Sequence, residues 1–229
     1  MAYHILRAQH TIGPFVRLHL HAATAQVRFA HGATVSDLAA DAEGGLTLGY
    51  LAKSLPIAVP ENAQEALAWV PFSEEFNREE FRVSGLQAGD YTLAIDGEDV
   101  GTFSSESLGL GIDLAALPTP QKRQSRKVLE IMEKRWNEVN KLRRIASIEY
   151  WQLPEAPRPV TLEQMEPKLS AWEKELSANP THWQRSHPGQ YREWKPLEKQ
   201  IWAETEKYLI EARAAARPIL RTITLRNAR

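Results

Sequence analysis

The sequence predicts an α+β protein with a small antiparallel β-sheet or sandwich, then two or three long helices, and a last strand that returns to the sheet. Three observations predict this class. Short apolar segments separated by turns fill the first half of the 229 residues. From Thr119 onward apolar residues recur at three- and four-residue steps, which is the helical period. After Pro218 the strand-like alternation begins again.

Six or seven short strands are predicted before residue 118. Ala22–Thr24 should form a hairpin turn between the first two, and Asp96-Gly97 tolerates the positive φ of a tight turn between the last two. The prolines that bound Pro56–Pro60 favour a sheet edge, and Ala63–Val70 should form a short helical turn. The predicted strands are 15–21, 25–30, 46–51, 56–60, 81–83, 91–95 and 100–103.

Helices dominate the second half. Thr119 is predicted to cap a helix that starts at Pro120, where the missing N–H is tolerated, and that runs to about residue 150. Thr161–Gln164 has the pattern of a capping box and starts a second helix. A third helix is expected from about 191 to 215, and a strand at 219–225 should return to the sheet.

These elements predict three segments. Residues 1–12 are interpreted as the remnant of a helix whose supporting core is missing, residues 13–118 as a β-rich domain, and residues 119–229 as a helical hairpin region with a C-terminal strand. Because an isolated short helix is unstable, Tyr3, Ile5 and Leu6 should leave an exposed apolar patch. The first ~10 residues should be poorly ordered or irregularly docked.

Composition excludes several classes of protein. No stretch reaches the roughly 18 apolar residues of a membrane helix, the first ten residues lack the pattern of a secretory signal, and no cysteine is present. Residues 1–118 hold 6 Lys/Arg against 15 Asp/Glu, and residues 119–229 hold 22 against 14. A basic half can bind nucleic acid, but glutamates interleave its cations, so we expect complementary fields between the halves and no nucleic-acid partner.

Two groups of histidines could carry chemistry. His19 and His21 point the same way on a strand and could ligate a metal if His31 completed the set. No carboxylate follows at strand spacing, so surface histidines are the preferred interpretation and no metal site is predicted. The loop Thr181–Gly189 brings Ser186 beside His187, but a serine adjacent to a histidine in sequence is not a triad. It is predicted to be a helix connector.

The seven tryptophans allow two interpretations. They could form a carbohydrate platform, or they could pack between helices, since all but Trp69 lie in the helical half. Packing is the prediction. The sequence has no phosphate loop, dinucleotide fingerprint or Gly-x-Ser-x-Gly elbow, and no cofactor is predicted.

Three stretches in order carry a family resemblance. They read MAYHILRAQ, then TVSDLAADAEGGLTLGYLAKSLPIAV, then VPFSEEFNREEFRVSGLQAGDYTLAIDGEDVGTFSSESLGLGIDLAALPTPQ. Together they resemble the C-terminal portion of large bacterial GDSL/SGNH-type, lipase-like ester hydrolases that append a β-rich region and a helical pair to an α/β/α core. The resemblance covers Met1–Trp151 well and is most specific over Phe72–Gln121.

The resemblance implies carboxylic-ester hydrolysis by a Ser-His-Asp mechanism in the full-length family, whose members are often exported. The family's serine lies in a Gly-Asp-Ser motif and its histidine in an Asp-x-x-His motif. Here Gly89-Asp90 is followed by Tyr91, and no histidine has an aspartate three residues before it. No catalytic, cofactor-binding or metal residue can therefore be assigned.

The chain is accordingly interpreted as a fragment of such an esterase, inactive without a catalytic core in the same polypeptide, or as a degenerate relative. The alternative is a non-catalytic β-sandwich module that binds carbohydrate or protein. A third possibility is that the long helices mediate self-association.

Overall fold

The computed structural model describes residues 2–9, 12–41, 43–179 and 181–228. Within these ranges the chain forms nine strands and seven helices. It divides into two compact units: Met1–Leu129 together with Arg213–Arg229, which we call the β-rich unit, and Glu130–Ala212, which we call the helical unit. The predicted α+β class is confirmed.

The strands of the β-rich unit form two sheets. Their bounds are β1 Val16–His21, β2 Gln26–His31, β3 Ala33–Ala40, β4 Leu46–Ala52, β5 Glu79–Ser84, β6 Asp90–Ile95, β7 Glu98–Ser104, β8 Ile112–Asp113 and β9 Arg221–Asn227. The first sheet has the order β2-β1-β5-β8, and the second has the order β3-β4-β9-β6-β7. The predicted return of the last strand is confirmed, and β9 lies between β4 and β6.

One strand pair differs from the antiparallel prediction. β1 and β2 form the expected hairpin through a turn at Ala22–Thr24. β1 and β5, however, run parallel, with Leu18 opposite Phe81. The same alternation of apolar residues suits either direction, and a long connection permits the parallel one. All pairs in the second sheet are antiparallel.

One apolar core joins the inner faces of both sheets, as in a β-sandwich. Alternate residues of the strands point inward and are almost completely buried. The largest of them are Leu18, Leu20, Leu46, Leu48, Tyr50, Phe81, Tyr91, Leu93, Ile95, Ile223 and Leu225.

The connections of this unit contain short ordered segments. Pro56–Pro60 does not form the predicted strand. The side chain of Asn77 accepts a hydrogen bond from the Ile57 N–H at 2.6 Å and donates one to the Ile57 carbonyl at 2.9 Å. Glu61–Ala68 is a 3-10 helix close to the predicted helical turn. Helices α2, Phe72–Phe76, and α3, Ser105–Leu110, were not predicted.

The first helix, α1, spans Ala2–Gln9. The Tyr3 hydroxyl donates a hydrogen bond to Glu75 at 2.7 Å, so α1 is docked against α2, which is distant in sequence. Of the three residues of the expected apolar patch, Ile5 is 49% exposed, whereas Tyr3 and Leu6 are half-buried. Met1 and His10, which the same expectation included, lie outside the described residues.

Four helices build the second half. Their bounds are α4 Pro120–Gln152, α5 Leu162–Ser177, α6 His187–Trp194 and α7 Glu198–Ala215. The capping box of Thr161 and Gln164 is present as predicted. The single predicted third helix is divided at Lys195–Leu197, where Pro196 cannot donate a backbone hydrogen bond.

The helical unit has its own small core. It comprises Ile145, Ile148, Val160, Met165, Leu169 and Tyr191. The boundary between the two compact units falls inside α4, between Leu129 and Glu130. The sequence had placed it between residues 118 and 119. Among the described helices, none is long and apolar enough to cross a membrane.

Candidate ligand-binding cleft

The histidines of the first sheet have separate partners. His19 Nε2 lies 2.7 Å from Glu80 Oε1, and His21 Nδ1 lies 3.0 Å from Thr24 Oγ1. His31 lies on β2 opposite Arg17. In the described ranges, no three His, Asp or Glu side chains form a group that could hold a metal ion. The structure therefore does not bring the three histidines together as ligands.

The second histidine-containing segment connects α5 to α6. His187 is the first residue of α6 and is only 4% exposed. Nη1 of Arg144 lies 2.5 Å from His187 Nε2. Ser186 makes no side-chain hydrogen bond at the start of α6. Ser186 and His187 are therefore not arranged as a nucleophile and its base.

The prediction that the tryptophans pack between helices is wrong for most of them. Trp172 and Trp194 are half-buried against the core of the helical unit. The other five expose more than half of their surface: Trp69 86%, Trp136 53%, Trp151 74%, Trp183 72% and Trp202 55%. A helical period alone does not distinguish an exposed face of a helix from the buried one.

Two of the exposed tryptophans border a cleft within the helical unit. The cleft has a volume of about 280 Å³, and we call it the Trp151–Trp183 cleft. Residues of α4, of α5 and of the segment before α6 form its walls. Its main lining side chains are Arg144, Ser147, Trp151, Trp172, Trp183 and His187.

Aromatic contacts hold His187 in this wall. The rings of Trp172 and Trp183 meet the imidazole edge to face, with centroids 5.9 Å and 5.2 Å away. The His182 ring stacks on Trp183 with centroids 6.2 Å apart. The imidazole therefore lies between two indoles and a guanidinium.

The electrostatics of the cleft are those of a cation beside a neutral histidine. Burial, then the charge of Arg144, then that of His182, lowers the pKa of His187. A neutral imidazole can accept the hydrogen bond from Arg144 but contributes no negative charge. In the part of the chain that the structure describes, no carboxylate forms an ion pair with Arg144.

A second unusual group lies in the β-rich unit. Glu79 is completely buried, and burial raises its pKa to about 7. Tyr50 and Gln121 both donate hydrogen bonds to its Oε1. The three side chains form a network inside the protein, and Glu79 does not line the described clefts.

The sequence interpretation missed Arg144 and Trp151. Both lie on α4, with Ser147 and Ile148 between them at three- and four-residue steps. This spacing places them on one helical face, and it was the signal that could have identified the cleft. The partners Trp172 and Trp183 come from later segments, which only the tertiary structure brings close.

Comparison with known proteins gives one informative match. No protein-family model matches the chain, and no curated protein matches it. A solved structure, described as BT4096, a gut microbial diltiazem-metabolizing enzyme, matches the whole chain with a TM-score of 0.83 and 26% sequence identity. The chain spans about half of that protein, 53% of its length. The structural neighbour is thus an enzyme with the same α+β arrangement over this region.

Proposed function

We propose that the chain is the C-terminal part of an ester hydrolase of the GDSL/SGNH type. The observation that supports this most strongly is the match of the entire chain to about half of an enzyme that metabolizes diltiazem. Diltiazem carries an acetate ester, so ester hydrolysis is one reaction by which it can be metabolized. The three stretches of residues 1–151 that resemble GDSL/SGNH-type hydrolases support the proposal independently of the structural match.

In this proposal the chemistry belongs to a catalytic core outside the chain. Gly-Asp-Ser and Asp-x-x-His do not occur in the sequence. The best-placed hydroxyl–histidine pair among the described residues is Thr24 with His21, which is exposed and for which no carboxylate orients the ring. Acyl transfer needs a nucleophile, an oriented base and an oxyanion hole. The chain alone is therefore inactive and serves to shape or cover the substrate side of that core.

Two measurements test the proposal. The first is the in-frame coding sequence upstream of Met1, which should encode Gly-Asp-Ser and, closer to Met1, Asp-x-x-His. A stop codon directly upstream would contradict the proposal. The second is hydrolysis of p-nitrophenyl acetate by the purified chain, which should not exceed that of buffer. Turnover that a change at His187 abolishes would show that the chain carries its own site.

A non-catalytic binding module remains the second candidate. The Trp151–Trp183 cleft favours it, because exposed indoles beside a polar side chain are typical of binding surfaces. Trp151 lies on α4 and Trp183 on the segment before α6, not on a sheet face, so the surface differs from the predicted sandwich platform. Self-association through the helices is tested by light scattering, where a strict monomer would exclude it.

A further inference from the structure

We propose that the Trp151–Trp183 cleft is a binding site for a small carboxylate carried on a six-membered ring. Arg144 is the anion partner, and the two exposed indoles hold the ring. This inference does not depend on ester hydrolysis, because it uses only side chains of the helical unit. It would hold equally for a piece of an enzyme and for a binding module.

The first step of the argument is the unbalanced charge of Arg144. Two other half-buried cations of the helical unit are paired with acids: Arg192 with Glu166 at 2.8 Å, and Lys195 with Glu149 at 2.6 Å. For Arg144, the described residues supply a neutral imidazole in place of a carboxylate. Withdrawing a cation from water without a counter-charge is unfavourable. An anionic ligand would supply the missing charge.

The second step is the hydrogen-bonding capacity that remains. A guanidinium has five N–H donors, and the neutral His187 ring accepts a hydrogen bond from one of them, on Nη1. The remaining donors suit the two oxygens of a carboxylate, which arginine binds side by side. Arg143, the next residue, is differently engaged: its guanidinium lies 5.4 Å from the ring centre of Trp136. Among the described residues, the cleft thus has one guanidinium with unused N–H donors, which favours a single carboxylate over a polyphosphate.

The third step is the shape and lining of the cleft. Trp151 and Trp183 expose about three quarters of their surface, 74% and 72%, at its border. Indole faces stack on aromatic rings and on the C–H faces of pyranoses. At about 280 Å³ the cleft lies just below the roughly 300–1,000 Å³ of typical ligand pockets. It therefore suits one ring and not an extended chain.

Sugar acids and aromatic acids share this chemistry, and titrations of the full chain distinguish them. Tryptophan fluorescence and calorimetry would follow glucuronate and benzoate, with glucose and benzyl alcohol as the neutral counterparts. We expect at least one of the two acids to bind, and its neutral counterpart to bind at least about tenfold more weakly. The acid that binds shows whether the site accepts a sugar ring or an aromatic ring.

Variants connect the binding to Arg144. R144Q should weaken the acid about 10- to 100-fold, while the matched change R143Q should leave its affinity within about twofold. Trp183→Ala, at an exposed position, removes one indole wall and leaves Arg144 unchanged in the sequence, and should also weaken binding about tenfold. Trp69→Ala, in the β-rich unit, is its control.

The proposal is overturned by any of three results. The first is that neither acid binds at millimolar concentration. The second is that an acid and its neutral counterpart bind equally well. The third is that R143Q causes the same loss of affinity for the acid as R144Q. Circular dichroism melts accompany each variant, and if R144Q does not fold, Trp183→Ala and the neutral counterparts still decide the question. Upstream codons and esterase assays are not involved, so failure here is distinguishable from failure of the proposed function.

Discussion

The Tyr50 hydroxyl donates a hydrogen bond of 2.5 Å to Oε1 of Glu79, and both side chains are almost completely buried. Gln121 donates a second bond to the same oxygen at 3.3 Å, while Oε2 of Glu79 has no partner among the described atoms. Burial raises the pKa of Glu79 to about 7, and it also raises the pKa of Tyr50 far above its ordinary value. A carboxyl group in these surroundings is stable mainly in its protonated form.

The first prediction concerns the pH dependence of stability. The pKa of Glu79 is raised from 4.5 to about 7 in the folded state. Its contribution to stability is therefore fully present below about pH 4.5 and is lost as the pH rises through about 7. Over that interval the free energy of unfolding should fall by about 3 kcal/mol from this group.

Glu79→Gln is the matched variant, since it keeps the shape and removes the titration. Urea unfolding at pH 5 and pH 8 should show a smaller difference between the two pH values than in the wild type. An unchanged difference would mean that Glu79 is ionised in the folded protein or that another group dominates.

The second prediction concerns the central strand. Leu225 is completely buried and lies opposite Leu46 on β4 and Leu93 on β6. Leu225→Ala should lower the free energy of unfolding by about 3 kcal/mol, because it leaves a cavity between two strands. The exposed Thr222→Ala on the same strand should change it by less than about 0.5 kcal/mol. Similar values for both variants in urea unfolding would show that β9 does not hold this position.

The third prediction concerns the start of α5. Thr161 Oγ1 accepts a hydrogen bond from the Gln164 N–H at 3.2 Å, and the Thr161 N–H donates one to Gln164 Oε1 at 2.9 Å. Thr161→Ala should cost about 1 kcal/mol, whereas Thr161→Ser keeps the hydroxyl and should cost much less. Thermal melts followed by circular dichroism measure both. Equal losses would argue against the capping role.

The fourth prediction concerns the segment Pro56–Pro60. Because Asn77 is bonded to both backbone groups of Ile57, Asn77→Ala should expose the Ile57 amide to solvent. Hydrogen exchange at that amide should become faster, while exchange in β9 should be unchanged. Asn77→Asp keeps the acceptor for the Ile57 N–H and should preserve more of the protection. Unchanged exchange in Asn77→Ala would exclude this bond as the constraint.

The fifth prediction is the titration of His187. Burial and the charges of Arg144 and His182 lower its pKa below the ordinary value of about 6.5. A histidine with a lowered pKa contributes stability that is present above about pH 6.5 and decreases as the pH falls below it. NMR of the imidazole resonances should show the low pKa, and R144Q should raise it. A pKa at or above the ordinary value would contradict the neutral state assigned to the ring.

Local patterns in the sequence predicted a large part of this fold. Alternation after Pro218 was sufficient to predict β9, and the capping residue Thr161 marked the start of α5 correctly. The parallel pairing of β1 with β5 could not be predicted, because alternation does not carry strand direction. β3 was missed because a bulge between Ser36 and Ala39 and the positive φ of Asp37 interrupt its alternation.

The cleft was harder to predict than the fold. Arg144 and Trp151 share a helical face, but their significance depends on Trp183 and His187, which lie far along the chain. Periodicity groups residues within one helix and does not report which face meets solvent. The exposure of the tryptophans therefore had to come from the structure.

The position of β9 in the middle of its sheet affects how the protein can fold while it is being synthesised. The ribosome produces β3, β4, β6 and β7 before the whole helical unit, and it produces β9 only afterwards. Until Asn227 has emerged, β4 and β6 each lack the partner strand that β9 supplies in the folded protein. Such open edges pair readily with other chains. Recognition of these two edges by a chaperone during translation would be a direct means of preventing aggregation.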